Sequence, residues 1–220
     1  MAKAVLLDID GTLIDSNALH AEAWQRAFAH FGVKVDFDAV LRQIGKGGDQ
    51  LLPVFLSPAQ QKEFGEKIQK WRKDLFMREY LSQVRPFPRV REMVLAIQRT
   101  GKKIAIASSA SEEELEKYKR IAHVEDLIDA NTTSEDAEES KPQPDIFAVA
   151  LKQLKMPAEE ALSVGDTPWD AIASGKIGVR TIGVMSGGWK REELEQAGCI
   201  EVYADAADLL DHFEGSLLSQ

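Results

Sequence analysis

The sequence has little of what stabilises or anchors a chain outside the cytoplasm. Among its 220 residues, Cys199 is the one cysteine, so no internal disulfide can form, and this favours a reducing compartment. No stretch reaches the roughly 18 consecutive apolar residues that a membrane helix needs. The N-terminus lacks the basic segment, long apolar stretch and cleavage site of a secretory signal. We therefore expect a cytoplasmic protein without a membrane partner.

Basic residues are also fewer than acidic ones. Lysine and arginine together number 27, against 36 aspartates and glutamates, and the net charge is −9. A general nucleic-acid-binding protein usually carries a basic face, so this balance argues against a nucleic-acid partner. Internal repeats and low-complexity tracts are absent as well. The hydrophobic content of 44% and the chain length are ordinary for a globular protein with one sizeable core or two small ones.

The first strand is the most informative segment that is present. A continuous apolar run over residues 4–7 leads into Asp8, Ile9, Asp10 and Gly11. Continuous apolarity is typical of a strand buried on both faces, and alternation places Asp8 and Asp10 on the same side. Two like charges at the end of a buried strand are costly unless a cation compensates them, and a divalent metal is the simplest one. The alternative is a pair of turn-forming aspartates.

The remaining pattern divides the chain into a helical block and an alternating block. Residues 15–85 predict helices only, namely one that begins after Asp15 or Ser16, two shorter ones at 36–56 around a glycine loop, and a long one from Ser57-Pro58 to about Leu81. From residue 89, helices alternate with strands predicted at 103–107, 127–128, 161–164 and 179–184. Such alternation predicts an α/β fold, a Rossmann-like parallel sheet with helices on both faces. Residues 1–14 and 86–220 would form this core, and residues 15–85 an inserted helical domain.

Polar residues collect where the predicted strands end, which is the edge of an open α/β sheet where ligands bind. They are Asp8, Asp10, Ser108, Ser109, Lys141, Asp166 and Asp170. A carboxylate can attack phosphorus, and a second one can protonate the leaving alcohol and then activate water. A hydroxyl and a lysine can neutralise phosphoryl oxygens, and Mg²⁺ prefers such oxygen ligands. Taken singly, the two later aspartates and Ser108 are also typical helix N-caps, and Lys141 is typical of a solvated loop.

In order, the segments DIDGTL at 8–13, Ser108, KPQPDIF at 141–147 and GDTPWD at 165–170 resemble the four motifs of the haloacid dehalogenase superfamily. The resemblance covers essentially the whole chain, and the insert resembles that superfamily's four-helix cap. It implies that Asp8 is the nucleophile and a Mg²⁺ ligand, and that Asp10 is the general acid and base whose backbone carbonyl also binds the metal. Ser108 and Lys141 would bind the phosphoryl group, Asp166 would bind Mg²⁺, and Asp170 would lie behind these groups. An aspartate at position 10 favours phosphate chemistry over dehalogenation.

The substrate should be selected by residues of the insert, because it would close over the sheet edge. The candidates are Ser16, His20, Trp24, Arg42 and Lys46, together with Ser109 of the core. Trp24 could instead belong to the core of the insert, His20 could be a surface residue, and Arg42 and Lys46 could be solvated charges. The segment 16–24 resembles the branch that contains β-phosphoglucomutase and the phosphoglycolate or sugar phosphatases. The arginine with which the mutase grips a second phosphate is not matched, since Gly48 and Asp49 stand near that place.

Three functions remain open from the sequence. The first is a magnesium-dependent phosphatase that hydrolyses a small phosphorylated metabolite, of the sugar phosphate or phosphoglycolate type, through an aspartyl-phosphate. The second is a β-phosphoglucomutase-like sugar phosphomutase, an isomerase that needs a bisphosphate. The third is a non-catalytic phospho-acceptor module like a response-regulator receiver, although receivers are shorter, have no helical insert and lack an acid like Asp10. We expect a small phosphorylated metabolite as the partner and a monomer or weak homodimer.

Overall fold

Six parallel strands form the central sheet in the computed structural model, which describes residues 1–220. They are β1 (Ala4–Leu7), β4 (Lys103–Ala107), β5 (Ala130–Thr132), β6 (Ala161–Gly165), β7 (Arg180–Val184) and β8 (Cys199–Tyr203), and they lie in the order β5-β4-β1-β6-β7-β8. The central strand β1 pairs with β4 on one side and β6 on the other. Leu7 stands opposite Ile106 and Val164, so these three strands end at the same level.

Because side chains alternate along the strands, they contribute to two separate hydrophobic layers, one on each face of the sheet. Val5 and Leu7 pack with apolar residues of α5 (Val90–Arg99) and α6 (Glu112–Ala122) on one face. Ala4 and Leu6 pack with α7 (Asp145–Leu154) and α8 (Pro168–Gly175) on the other. Because both faces are covered, all four residues of β1 are buried, as its continuous apolar run predicts. The helices α9 (Arg191–Ala197) and α10 (Ala206–Asp211) complete this part of the chain.

Residues 15–85, here called the helical insert, contain four helices with a hydrophobic cluster of their own. They are α1 (Asn17–His30), α2 (Phe37–Leu41), α3 (Gly48–Phe55) and α4 (Pro58–Leu75). Trp24, Phe28, Leu51 and Ile68 are among the buried members of that cluster. A short antiparallel ribbon of β2 (Ile14–Asp15) and β3 (Arg85–Pro86) joins the insert to the sheet. The insert therefore leaves and rejoins the sheet through two paired strands beside the end of β1.

The α/β prediction, with its parallel sheet and helices on both faces, is confirmed. The prediction of a strand at 127–128 is wrong, since Glu125–Leu127 forms a 3-10 turn and the strand follows at β5. Thr132 ends β5, and its hydroxyl proton is shared between two buried backbone carbonyls. The last residue of this edge strand is therefore polar, which weakens the apolar pattern of the strand. The sequence pattern predicts no strand after residue 184, but Cys199, which is buried, begins β8.

The long helix predicted to reach Leu81 changes its geometry earlier. It is α-helical to Leu75, and Phe76–Tyr80 then forms a π-helical turn. Such turns are often found at functional sites, and Phe76 stacks on the ring of His20. None of the helices in this chain has the length and apolarity required to cross a membrane.

Candidate active site

Three buried carboxylates meet at the carboxyl end of the sheet. Asp8 follows β1, Asp166 follows β6, and Asp170 lies on the first turn of α8. The Asp8 amide donates to the Val164 carbonyl at 2.9 Å, so the strand pairing itself places Asp8 beside the end of β6. One carboxylate oxygen from each of the three lies within 4.8 Å of the others. The sheet edge therefore concentrates negative charge away from water.

A single ammonium group lies among these carboxylates. Lys141 is 1% exposed, and its Nζ donates to Asp8 Oδ1 at 2.5 Å, to Asp170 Oδ1 at 2.7 Å and to the Ala107 carbonyl at 2.9 Å. Burial lowers the pKa of Lys141, but the charges of Asp170 and Asp8 raise it further, and the net shift is upward. The lysine is therefore protonated, with all three of its protons directed to fixed acceptors.

Asp170 both caps the N-terminus of α8 and holds Lys141 in place. Its Oδ2 accepts from the Thr167 amide at 3.1 Å and from Thr167 Oγ1 at 2.6 Å, which forms the N-terminal cap of α8. Its Oδ1 is taken by Lys141. Since both oxygens have partners, Asp170 holds the lysine in place and has no free oxygen for a ligand.

The cluster is short of positive charge, and its oxygens fit a divalent cation. Burial and then neighbouring carboxylates raise the pKa of Asp8 to about 7, with Lys141 opposing them, and burial and Asp8 raise that of Asp166 well above the ordinary range. The one Thr12 hydroxyl proton is shared between Asp8 Oδ2 at 3.3 Å and Asp166 Oδ1 at 3.2 Å. These two oxygens therefore receive fewer hydrogen bonds than they can accept. They are the kind of hard ligand that Mg²⁺ prefers.

A side-chain hydrogen bond and two closely approaching glycines hold the Asp166 side chain. Asn17 Nδ2 donates to Asp166 Oδ2 at 2.8 Å. A Cβ at Gly11 would lie 2.2 Å from that oxygen and one at Gly187 only 1.6 Å, so neither position accepts a larger residue without moving the carboxylate. Sequence reasoning did not identify Asn17, Thr12 or Gly187, because none of them carries a signal until the fold brings them to Asp166.

Asp10 lies across the edge from this cluster and has different partners. Ser16 Oγ donates to Asp10 Oδ1 at 2.6 Å, and His20 Nε2 lies 3.0 Å from the same oxygen. Burial raises the pKa of Asp10, but the charge of His20 and these hydrogen bonds lower it more, and the net shift is downward. Ser16 stands at the N-cap position of α1, but its hydroxyl serves Asp10 and makes no cap hydrogen bond.

The His20 ring is held by aromatic side chains from both parts of the chain. Phe76 of the insert stacks on it at 3.9 Å between ring centroids, and the Tyr118 hydroxyl of α6 lies 3.2 Å from His20 Nε2. Tyr118 is fully buried, and His20 is the one side-chain partner of its hydroxyl. His20 is thus directed at Asp10 by contacts that require the insert and the sheet to be packed together.

A cavity of about 50 Å³ lies between the insert and the sheet edge. It is lined by Asp8 and Asp10, by four of the predicted substrate-binding residues, and by Arg72 and Glu114, which sequence reasoning missed. The four are His20, Trp24, Lys46 and Ser109. Ser108 is buried at the end of β4, where its Oγ accepts from the Ala110 amide at 3.0 Å. Spacing along α4 identifies Arg72 only as a helix residue, which is why it had no distinguishing signal.

Arg42 lies apart from that cavity. Its guanidinium is 4.2 Å from the ring centroid of Trp189 and pairs with Glu193 at 3.2 Å. Lys46 Nζ lies 3.9 Å from the ring centroid of Trp169, which packs edge-on against Trp189. Arg42, predicted to bind substrate, therefore joins the insert to the loop before α9, whereas Lys46 both contacts the sheet side and lines the cavity.

Comparison with known proteins agrees with this geometry. The family model of the haloacid dehalogenase-like hydrolases matches residues 5–184. Phosphoglycolate phosphatase of Aquifex aeolicus is 29% identical over 180 residues, 81% of this chain and 83% of that protein. Pyrophosphatase PpaX of Bacillus cereus is 28% identical over 182 residues, 82% of each.

Among solved structures, a hydrolase from Pseudomonas syringae superposes with a TM-score of 0.87 at 27% identity, covering 96% of this chain and 98% of that one. The family match spans the strands and loops that carry Asp8, Lys141 and Asp166. The chain belongs to the haloacid dehalogenase-like hydrolase family.

Proposed function

We propose that this protein is a magnesium-dependent phosphatase that hydrolyses a small phosphorylated metabolite through an aspartyl-phosphate on Asp8. One observation carries the proposal. Asp8 is held by Lys141 at the sheet edge and lines the same cavity as Asp10, a second carboxylate with a separate set of partners. Two carboxylates with different environments are what two-step phosphoryl transfer requires. The names of the two relatives, a phosphoglycolate phosphatase and a pyrophosphatase, support a small phosphorylated substrate.

In the first step the Asp8 carboxylate attacks phosphorus, and the bond from phosphorus to the leaving oxygen breaks. Asp10 gives a proton to that oxygen, and the alcohol departs. Because His20 and Ser16 lower the pKa of Asp10, this step uses the minor fraction of the protein in which Asp10 is protonated. In the second step Asp10 takes a proton from a water molecule that attacks the phosphorus on Asp8. The phosphorus–Asp8 bond breaks, inorganic phosphate leaves, and both aspartates return to their starting forms. Lys141 and Ser108 stabilise the negative charge of the phosphoryl oxygens.

The side chains of Asp8 and Asp166, with the backbone carbonyl of Asp10, would hold the metal. A bound Mg²⁺ would supply positive charge that the one lysine cannot provide for three carboxylates. Asp170 keeps Lys141 in place, and Asn17 and Thr12 orient Asp166. This assignment uses for the metal those carboxylate oxygens that have the fewest donors in the protein.

We also propose that residues 15–85 act as a cap that opens for substrate and closes over it. The β2–β3 ribbon is a two-residue link on each side, which is a suitable hinge. His20, Trp24, Lys46 and Arg72 all come from the insert, so the cavity is complete only when the insert is packed on the sheet. Closure would exclude water while the leaving group is protonated.

The proposal is tested by a screen of small phosphorylated metabolites for released inorganic phosphate. We expect multiple-turnover release from monophosphates without any sugar bisphosphate. The deciding assay supplies β-glucose 1-phosphate with and without the 1,6-bisphosphate. Formation of glucose 6-phosphate faster than free phosphate, and only with the bisphosphate, would replace the phosphatase with a mutase. Stable phosphorylation without turnover on any substrate would instead indicate a phospho-acceptor module.

Replacing Asp10 by asparagine should separate acid catalysis from nucleophilic attack. We expect the Asp10→Asn variant to lose steady-state turnover of alkyl phosphates by about two to four orders of magnitude, the usual contribution of general acid–base catalysis. Formation of the aspartyl-phosphate from an aryl phosphate should be reduced much less, because a good leaving group needs no proton. Single-turnover measurements on an alkyl and an aryl ester make the comparison. Equal loss of this step for both esters would remove the acid role of Asp10.

A further inference from the structure

Three side chains at the cavity have donor groups that lack a full set of hydrogen-bond acceptors. Arg72 Nε is buried without a partner, and so is Ser109 Oγ. Lys46 Nζ bonds only to Gln43 Oε1, at 2.7 Å. All three residues line the cavity that holds Asp8 and Asp10. A buried donor without an acceptor is costly, so a cluster of such donors points to an acceptor that a ligand supplies.

Most side-chain acceptors around the same cavity are already used. Glu114 Oε1 accepts from Arg72 Nη1 at 3.4 Å, and its Oε2 accepts from the amide and hydroxyl of Ser111 at 3.1 and 2.7 Å. Asp10 Oδ1 faces both Ser16 and His20. A neutral polyol would need such acceptors for its hydroxyl protons and would find few of them. The lining thus favours a ligand that accepts hydrogen bonds over one that donates them.

Arg72 is also held in place as a binding group should be. Its guanidinium lies 5.1 Å from the ring centroid of Trp24, and its ion pair with Glu114 joins α4 of the insert to α6 of the core. The Glu114 side chain is 4% exposed and that of Arg72 is 19% exposed. One terminal nitrogen makes the ion pair, and Nε and the other terminal nitrogen remain available. A planar guanidinium with two free donors matches a carboxylate or phosphate.

We propose that the substrate carries a second anionic group, a carboxylate or a second phosphate, which Arg72 binds together with Lys46 and Ser109. This inference rests on the proposed phosphatase function, since the first phosphoryl group is the one transferred to Asp8. Burial lowers the pKa of Lys46, and an anion beside it would favour its charged form. Arg72 thereby supplies from α4 the fixed basic group that the glycine loop at 45–48 lacks.

A matched series of three substrates tests the proposal. Each presents the same O–CH₂ leaving group: 2-phosphoglycolate ends in a carboxylate, ethane-1,2-diol bisphosphate in a second phosphate, and 2-hydroxyethyl phosphate in a neutral hydroxyl. We expect kcat/KM for at least one anionic member to exceed that of the neutral member by about 100-fold or more, because a site built for a hydrogen-bonding group rejects an analogue that lacks it. Which anionic member is preferred identifies the carboxylate or the phosphate source.

Variants assign the preference to Arg72. The Arg72→Met variant should lower kcat/KM for the preferred anionic substrate by about 10- to 100-fold, the range for a hydrogen bond to a charged group. The loss on 2-hydroxyethyl phosphate should be smaller by about tenfold or more, because that substrate has no anionic group for Arg72 to bind. Arg72→Lys should recover part of the loss, since the charge returns without the planar fork. Arg78→Met, on an exposed arginine near the end of the insert, is the matched control and should leave all three substrates unaffected.

The Arg72→Met change leaves Glu114 without its ion-pair partner, so the double variant Arg72→Met/Glu114→Gln keeps the test valid if the single variant folds poorly. Equal activity of wild type on the neutral and both anionic substrates would overturn the proposal. So would an equal loss on all three substrates in a folded double variant, which would make Arg72 a structural residue. Absence of phosphate release from every substrate by wild type would instead reject the phosphatase function itself.

Discussion

The Asp8→Asn variant is expected to lose phosphatase turnover by more than about four orders of magnitude, as enzymes do when the nucleophile is removed. An amide nitrogen and oxygen keep the shape of the carboxylate, but they cannot attack phosphorus and carry it as an acyl phosphate. Phosphate release and covalent labelling of the protein from a ³²P-labelled substrate both measure this step. The label should be absent from the variant.

The fold should survive this substitution. Lys141 keeps Asp170 and the Ala107 carbonyl as partners, so no buried charge is left alone. In the metal-free protein, the pKa of Asp8 is raised from 3.8 to about 7, so its ionisation costs folding stability progressively between these two pH values and in full above them. A neutral amide removes that cost, and the metal-free variant should therefore melt at or above the wild-type temperature at about pH 8.

Asp129→Asn is a matched control for the same chemical change. Asp129 accepts from the Ile104 amide and pairs with Lys103 at the start of β4, at the other end of the sheet from Asp8. It should retain wild-type turnover. An intact mass measurement must exclude deamidation of the introduced asparagine back to aspartate. Retention of more than about 1% of activity by a folded, undeamidated Asp8→Asn protein would refute covalent catalysis at this residue.

Removal of the metal should have an effect of similar size. Three buried carboxylates share one lysine, and Asp8 and Asp166 share one hydroxyl proton, so a divalent cation is the natural source of the missing charge. Dialysis against a chelator should reduce turnover to background, and Mg²⁺ should restore it. Mg²⁺ should also raise the melting temperature of the wild-type protein in the absence of substrate, because it binds the folded state alone.

The Asp166→Ala variant distinguishes a metal bound at this edge from one bound elsewhere. It should need a far higher Mg²⁺ concentration for activity, and Mg²⁺ should no longer raise its melting temperature. Asp129→Ala, changed at the opposite end of the sheet, should keep both responses. Full activity of wild type after exhaustive metal removal would contradict the metal requirement. An unchanged response of Asp166→Ala would place the metal away from Asp166.

The sequence by itself was sufficient for the parts of this protein that depend on neighbouring residues. Continuous apolarity in β1 required burial on both faces, and the alternation after residue 89 indicated a parallel sheet. Because parallel strands end at one edge, the residues after β1, β4 and β6 could be placed together without coordinates. The strand β8 was not predicted, because it is a short strand at the edge of the sheet in which Glu201 interrupts the apolar run.

What the tertiary structure decided depends on contacts between segments far apart in the chain. Arg72 and Glu114 lie 42 residues apart, and Asn17 and Asp166 lie 149 apart. The direction in which each side chain points follows from how the helical insert packs on the sheet, and local periodicity contains no information on that packing. For the same reason Arg42 and Lys46, alike as cations near a glycine loop, have different positions: Arg42 joins the two parts of the chain, and Lys46 also lines the cavity.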